Sequence, residues 1–313
     1  MWQSKEKPIM TPCTFDGFPS DRKVLKVLTL GHSLTVDSCH FLALIANAEG
    51  DPGLKIATLY YSGCPLFRHV EYLQTDSDRY SLYESNSAEP TPPRITPGMT
   101  MKKAVEKDDW DVILMHGGTF EPAYETTYQT GHIQTIQNYV NQHKKNPNAV
   151  FGWHMHWVFP TDKDLMSLYP YTPNGYALGY EKFGGGRKEL YEAIARCMEK
   201  YILTDDTFRC LIPTGTAMEN ALAAGLTEKD VHRDYAHATD FGRVMAGYVW
   251  YCALRGIDHL DEIKLDRIPV KYFRSNKGDQ DILLTQRDKD ILLESVNNAL
   301  KNPLQVTKSQ FTQ

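Results

Sequence analysis

No apolar run in the 313-residue chain approaches the roughly 18 residues of a membrane-spanning helix, so no membrane span is expected. No block of basic residues occurs either. Lys and Arg total 34 against 39 Asp and Glu, a net charge of -5, and without a clustered basic face no nucleic-acid partner is expected. The six cysteines (13, 39, 64, 197, 210 and 252) include no C-x-x-C pair. That scatter argues against structural zinc and leaves free, mostly buried thiols as the expectation. The run Gly184-Gly185-Gly186 follows no strand pattern and no G-K-S/T accompanies it, so a nucleotide-phosphate loop is rejected. The opening MWQSKEKPIMTPC has no apolar leader region. The chain is therefore cytoplasmic as written, or secreted or periplasmic if a leader has been removed. No repeat, low-complexity tract or linker breaks the sequence, and one domain over 1–313 is expected, with its core at about 22–300.

What is present is an alternation of two patterns. Near-continuous apolar runs, rich in β-branched and aromatic residues, occur at 23–30 (KVLKVLTL), 54–61 (LKIATLYY), 111–116 (DVILMH), 149–157 (AVFGWHMHW) and 208–215 (FRCLIPTG). Strands buried on both faces read this way. Between them lie helical periodicities at 36–48, 131–144, 187–202, 239–255 and 287–300. The alternation predicts a doubly wound α/β sheet of about five parallel strands. Two connections, 62–98 and 157–185, are long enough to form walls or lids of a site. The second, with YPYTPNGYALGYEKFGGG, is rich in tyrosine, whose flat ring and hydroxyl suit a sugar, although a loop packed by its own aromatics would read the same.

Sites in open parallel sheets lie beyond the carboxyl ends of the strands. The residues there are Gly31-His32-Ser33, Ser62-Gly63-Cys64, His116-Gly117-Gly118, His154 and His156, and Thr214-Gly215-Thr216. His232, Asp234 and His237 precede the helix from 239. Ser33, at a strand-to-helix turn, is a candidate nucleophile. A serine needs a base held by a third group. Asp234 and His237, three apart in HRDYAHATDFGR, supply that pair in one short loop. Taken singly, these residues also read as a helix cap, a turn cap and a surface histidine; their joint occurrence favours chemistry.

The ordered stretches LTLGHSLTVDS, LYYSGCPLFRHV, DWDVILMHGG, WHMHWVFP, IPTGTAMENA and RDYAHATDFGR span about 24–255. Together they resemble the SGNH (GDSL-like) hydrolase superfamily, and most closely a branch of uncharacterised SGNH-like domains of gut and soil bacteria. The resemblance implies a three-layer α/β/α sandwich of flavodoxin-like topology with a mainly parallel five-stranded sheet. It implies Ser33 as nucleophile, His237 as general base and Asp234 as its orienter. The oxyanion hole would use the backbone N–H groups of Ser33 and Gly63 with a polar side chain after the third strand. The superfamily has Asn at that last position and the nearer branch tends to Gln; here it aligns with His116, with Gly117, Gly118 or Thr119 as backbone alternatives. His32, beside the nucleophile, reads as a turn residue.

His154 and His156 form an H-x-H whose rings share a face if the run is a strand, and a metal would need His232 or Asp234 as a third ligand. Placing substrate is the stronger reading for these histidines and for Gly117, and neither metal nor cofactor is expected. Arg243 is expected to tie its helix start to an acidic neighbour, and Glu219 and Asn220 to cap a helix. The expected activity is ester hydrolysis, with an acetylated carbohydrate or a small ester as substrate. The alternative is a catalytically impaired carbohydrate-binding protein on the same fold.

Overall fold

A computed structural model describes residues 24–90, 92–119, 121–167, 183–268 and 284–312. Seven strands lie within them: β1 Leu25–Gly31, β2 Leu54–Tyr60, β3 Tyr80–Asn86, β4 Arg94–Met99, β5 Val112–Met115, β6 Val150–His154 and β7 Phe208–Ile212. They form one sheet in the order β4-β3-β2-β1-β5-β6-β7. All five apolar runs are strands, and β2, β1, β5, β6 and β7 run parallel.

The expectation of a five-stranded sheet is corrected. β3 pairs antiparallel to β2, and β4 antiparallel to β3, so the sheet is mixed and seven-stranded. The segment 62–98, expected as a long loop, holds a helix and this hairpin. β3 alternates, with Tyr80 and Leu82 buried and Ser81 and Tyr83 more open. β4 is mostly exposed and carries Pro97, a residue that edge strands tolerate because one side needs no N–H. Residues 168–182, most of the second expected wall, lie outside the described residues.

The α-helices among the described residues are α1 Ser33–Cys39, α2 Leu42–Ala48, α3 Leu66–Gln74, α4 Met101–Val105, α5 Glu125–Gln129, α6 His132–His143, α7 Lys163–Ser167, α8 Arg187–Cys197, α9 Thr214–Ala223, α10 Glu228–Val231, α11 Asp240–Arg255 and α12 Gln286–Lys301. The helix read over 36–48 is two, broken near His40. Most helix packing falls within two groups: α1, α2, α9, α11 and α12, and separately α3 to α6. Helix α11 is apolar nearly all round and buried from Val244 to Leu254, as a central core helix must be. No helix among the described residues is long and apolar enough to cross a membrane.

Glu219 and Asn220 do not cap. They sit inside α9, where Glu219 pairs with Arg187 at 2.7 Å and Asn220 donates to Ser295 O at 3.4 Å. Cys39, Cys64, Cys197 and Cys252 are free thiols, as expected, whereas Cys210 is disulfide-bonded.

On α3, His69 is buried against Tyr80, with 2.8 Å between its Nδ1 and the phenol oxygen. Burial lowers its pKa from 6.5 to about 4. Above the unfolded value this neutral ring costs nothing. Between pH 6.5 and 4 the unfolded chain binds a proton that the folded one refuses, so stability falls as pH falls, by up to about 3 kcal/mol. Urea unfolding of wild type and His69→Leu at pH 7.5 and pH 5 checks this: wild type is expected to lose about 2 kcal/mol more than the variant over that interval.

Candidate functional site

The parallel strands present their carboxyl ends in register. Leu30 of β1 pairs with Met115 of β5, and Met115 with Trp153 of β6. The next residues along these three strands are Gly31, His116 and His154. Gly31 is a glycine for a local reason, since a Cβ there would overlap Thr35 Oγ1 and His116 Nε2. His32 is the N-cap of α1, with extended backbone, and its Nδ1 accepts from Leu34 N–H at 3.3 Å. Its Nε2 lies 3.2 Å from Gly117 O, which ties the start of α1 to the loop after β5. Ser33 is therefore the first residue of a helix whose entry is fixed on two sides, and it is only partly buried.

Asp234 and His237 come together as expected. The His237 ring Nδ1 lies 2.9 and 3.0 Å from the two carboxylate oxygens of Asp234. Asp234 Oδ1 also accepts from the backbone N–H groups of Ala236 and His237 at 2.9 and 2.8 Å. Burial pushes this carboxyl's pKa up, but the His237 bond and charge, with those two N–H groups, outweigh it and hold it at about 2. Asp234 thus stays ionised, holds the proton on His237 Nδ1, and leaves Nε2 free to act as a base. The surrounding loop is a closed turn: Arg233 N–H donates to His237 O and Thr239 N–H to Val231 O, both at 2.9 Å. Trp157 Nε1 donates to Ala236 O at 2.7 Å.

Sequence reasoning missed the residue that docks this loop on α1. Asp37, one turn along from Ser33, is 2 % exposed. Its carboxylate accepts from Arg233 Nη1 at 3.2 Å, from Arg243 Nε and Nη2 at 3.0 and 2.9 Å, and from Ala238 N–H at 2.9 Å. Arg243 also pairs with Asp240 at 2.9 Å, so its expected tie to an acidic neighbour holds. The available signal was an aspartate four residues after the candidate serine and two arginines flanking D-x-x-H.

The Asp–His half of the expected triad is bonded and the Ser–His half is open. Among the described residues no hydrogen bond joins Ser33 Oγ to His237. The loop that carries His237 is held to α1 by the bond from Ala238 N–H to Asp37, 2.9 Å. Contacts between a catalytic base and its nucleophile often tighten only with substrate bound.

On the opposite side, Gly63 adopts φ +58°, the left-handed region glycine favours. Thr119 Oγ1 would lie 3.6 Å from a Cβ at Gly63, and this buried hydroxyl has no hydrogen-bond partner. Glu121 Oε2 accepts from Gly118 N–H at 3.0 Å and Leu66 N–H at 3.3 Å, which locks the loop after β5 to the start of α3. His116 is 2 % exposed and its Nε2 is hydrogen-bonded to Thr35 Oγ1. His154 is sealed between Trp250, at 5.0 Å between ring centroids, and Ser38. His156 is buried with Nδ1 at 3.0 Å from Trp157 O. His232 is buried beside Arg187, at 3.4 Å.

This is an α/β protein with a bonded Asp–His pair and an accessible serine at the carboxyl edge of parallel strands. The chain belongs to the DUF4886 family, a domain of unknown function, which it matches over residues 26–272. A crystal structure of a DUF4886 family protein from Bacteroides uniformis ATCC 8492 is similar over 91 % of this chain and 98 % of that one, with a TM-score of 0.71 and 21 % identity. That likeness establishes the fold. A proposed SGNH hydrolase from Slackia heliotrinireducens aligns with 74 % of this chain and 99 % of its own, at a TM-score of 0.46 and 15 % identity. LAE5, an α/β hydrolase enzyme from the metagenome of Lake Arreo, Spain, aligns with 75 % and 99 %, at 0.43 and 10 %. No curated protein matches.

The buried Asp37 clamp has a measurable consequence. Asp37→Asn leaves two guanidinium groups without their shared counter-charge and is expected to lower the unfolding free energy by about 3 kcal/mol in a denaturant titration. A loss below about 0.5 kcal/mol would reduce the clamp to an incidental contact.

Proposed function

We propose that this chain is a serine hydrolase of SGNH type that cleaves esters, with Ser33 as nucleophile, His237 as general base and Asp234 as its orienter. The observation that carries the reading is the bonded Asp234–His237 pair on a loop clamped to the helix that begins at Ser33. In the proposed cycle Ser33 Oγ attacks the ester carbonyl as His237 Nε2 takes its proton. The tetrahedral intermediate collapses, the C–O bond to the alcohol breaks, and His237 protonates the leaving alkoxide. A water, deprotonated by the same ring, then attacks the acyl carbon; the bond to Ser33 Oγ breaks, His237 returns the proton to that oxygen, and the acid leaves.

The N–H groups of Ser33 and Gly63 are the proposed oxyanion donors. The third donor expected from the sequence was His116, whose Nε2 is engaged by Thr35. The unpartnered hydroxyl of Thr119 beside Gly63 fits the role better. Acyl, and in particular acetyl, esters of a carbohydrate or small alcohol remain the proposed substrates. The tyrosine-rich segment that motivated the sugar lies largely outside the described residues.

The open contact between Ser33 and His237 favours one other reading, a carbohydrate-binding protein that has lost turnover. Two measurements separate them. A fluorophosphonate probe is expected to label Ser33, located by mass spectrometry of the digested adduct. Ser33→Ala is expected to lower kcat on p-nitrophenyl acetate by about 10³-fold or more. Absence of label on folded protein, with retained affinity for an oligosaccharide, would establish the binding protein instead. Thr119→Val is expected to lower kcat by about 10²-fold with little change in KM, the signature of a donor used only in the transition state.

A further inference from the structure

We propose that His32, His116 and His156 form a binding site for one transition-metal dication of the zinc class. One ring nitrogen from each lies within 4.8 Å of the others, and all three residues are buried. Around a tetrahedral zinc with bonds near 2.0–2.1 Å, ligand nitrogens stand about 3.3 Å apart. Closing the set requires those nitrogens to approach one another by up to about 1.5 Å.

The hydrogen bonds of the rings fit the assignment. Metal-binding imidazoles ordinarily hold their second nitrogen on a carbonyl, carboxylate or other acceptor, which fixes the ring and its tautomer. His156 Nδ1 lies 3.0 Å from Trp157 O, and its buried Nε2 makes no well-formed hydrogen bond, with the Gly118 backbone close to the ring. His116 Nε2 is bonded to Thr35 Oγ1, and its Nδ1 is buried without a partner. His32 Nε2 faces Gly117 O at 3.2 Å, so it carries the proton, and the lone pair is on Nδ1, where it accepts a long 3.3 Å bond from Leu34 N–H. His32 joins the set by exchanging that long contact for the ion. Two buried ring nitrogens without a well-formed hydrogen bond in one cluster call for an explanation, since buried polar groups are ordinarily paired.

The donor chemistry selects the ion. Three imidazoles without a carboxylate suit zinc, cobalt or nickel and do not suit magnesium or calcium, which take oxygen ligands. A tetrahedral ion on three ligands keeps one position for water or a substrate oxygen, and the site directly adjoins Ser33 in the chain. The inference stands apart from the serine reading, because the three ligands include none of Ser33, Asp234 and His237.

The rival occupant is ordered water, which would also satisfy the two nitrogens. The untagged protein, stripped by chelator and dialysed against micromolar Zn²⁺, is expected to hold about one equivalent by elemental analysis. Co²⁺ in its place is expected to give the visible absorption of a tetrahedral site. His116→Gln and His156→Gln are each expected to weaken Co²⁺ binding by about 100-fold or more, while His40→Gln, outside the cluster, leaves it unchanged. Ser33→Ala is expected to bind Co²⁺ like wild type whatever it does to ester hydrolysis, so the two readings fail separately. Should the glutamine variants unfold, the wild-type imidazole ¹⁵N resonances decide: zinc is expected to shift three ring nitrogens. Less than about a tenth of an equivalent on folded wild type, full Co²⁺ binding in both glutamine variants, or no imidazole shift would each overturn the site.

Discussion

The carboxylate of Asp37 is the constraint on which the candidate site depends. It lies on α1, one turn past Ser33, and satisfies two guanidinium groups and a backbone N–H from the loop 232–239 and the start of α11. These partners are about two hundred residues away in sequence. The loop carrying Asp234 and His237 is also held by Trp157, by the His232–Arg187 contact and by its own turn bonds, but none of these ties it to α1. Breaking a buried ion cluster of this kind is far more costly than losing a surface pair. The placement of the Asp234–His237 loop against α1 is therefore set by buried charges on and around Asp37.

A second feature is the character of the floor. His32, His116, His154 and His156 are all buried, and burial, the largest cause in each, lowers their pKa values; His156 falls to about 4. At neutral pH the floor is polar but uncharged. Charge in the neighbourhood is carried by Asp234, held ionised, and by the arginines clamped on Asp37. A neutral imidazole floor supplies lone pairs and N–H groups, and neutral is the form in which imidazoles bind a metal ion.

The legible parts of the structure were those written locally. Five apolar runs announced five strands, because strands covered on both faces leave few polar positions. The Asp–His pair was legible because both partners sit in one short loop. The hairpin β3–β4 was not, since its inner face shows only Tyr80 and Leu82 and its outer strand carries Pro97 and Gly98, which read as turn. Asp37 with Arg233, and His32 with His116 and His156, were hidden for a different reason. The histidine association depends on β1, β5 and β6 being neighbours in that order, and the Asp37 contact on α1 packing against α11; both are properties of topology and not of spacing. The H-x-H motif pointed at His154 and His156 as a pair; the end of β6 at His154 parts them, one against Trp250 and the other toward His32.

The antiparallel hairpin also bears on how copies of the molecule meet. Among the described residues β4 is the edge of the sheet on that side; Pro97 has no N–H to offer, and Gly98 takes φ +70°. An added strand would find an interrupted ladder there. Extending the sheet from chain to chain across this rim is disfavoured by the backbone itself, even though Ile95 stands exposed beside it.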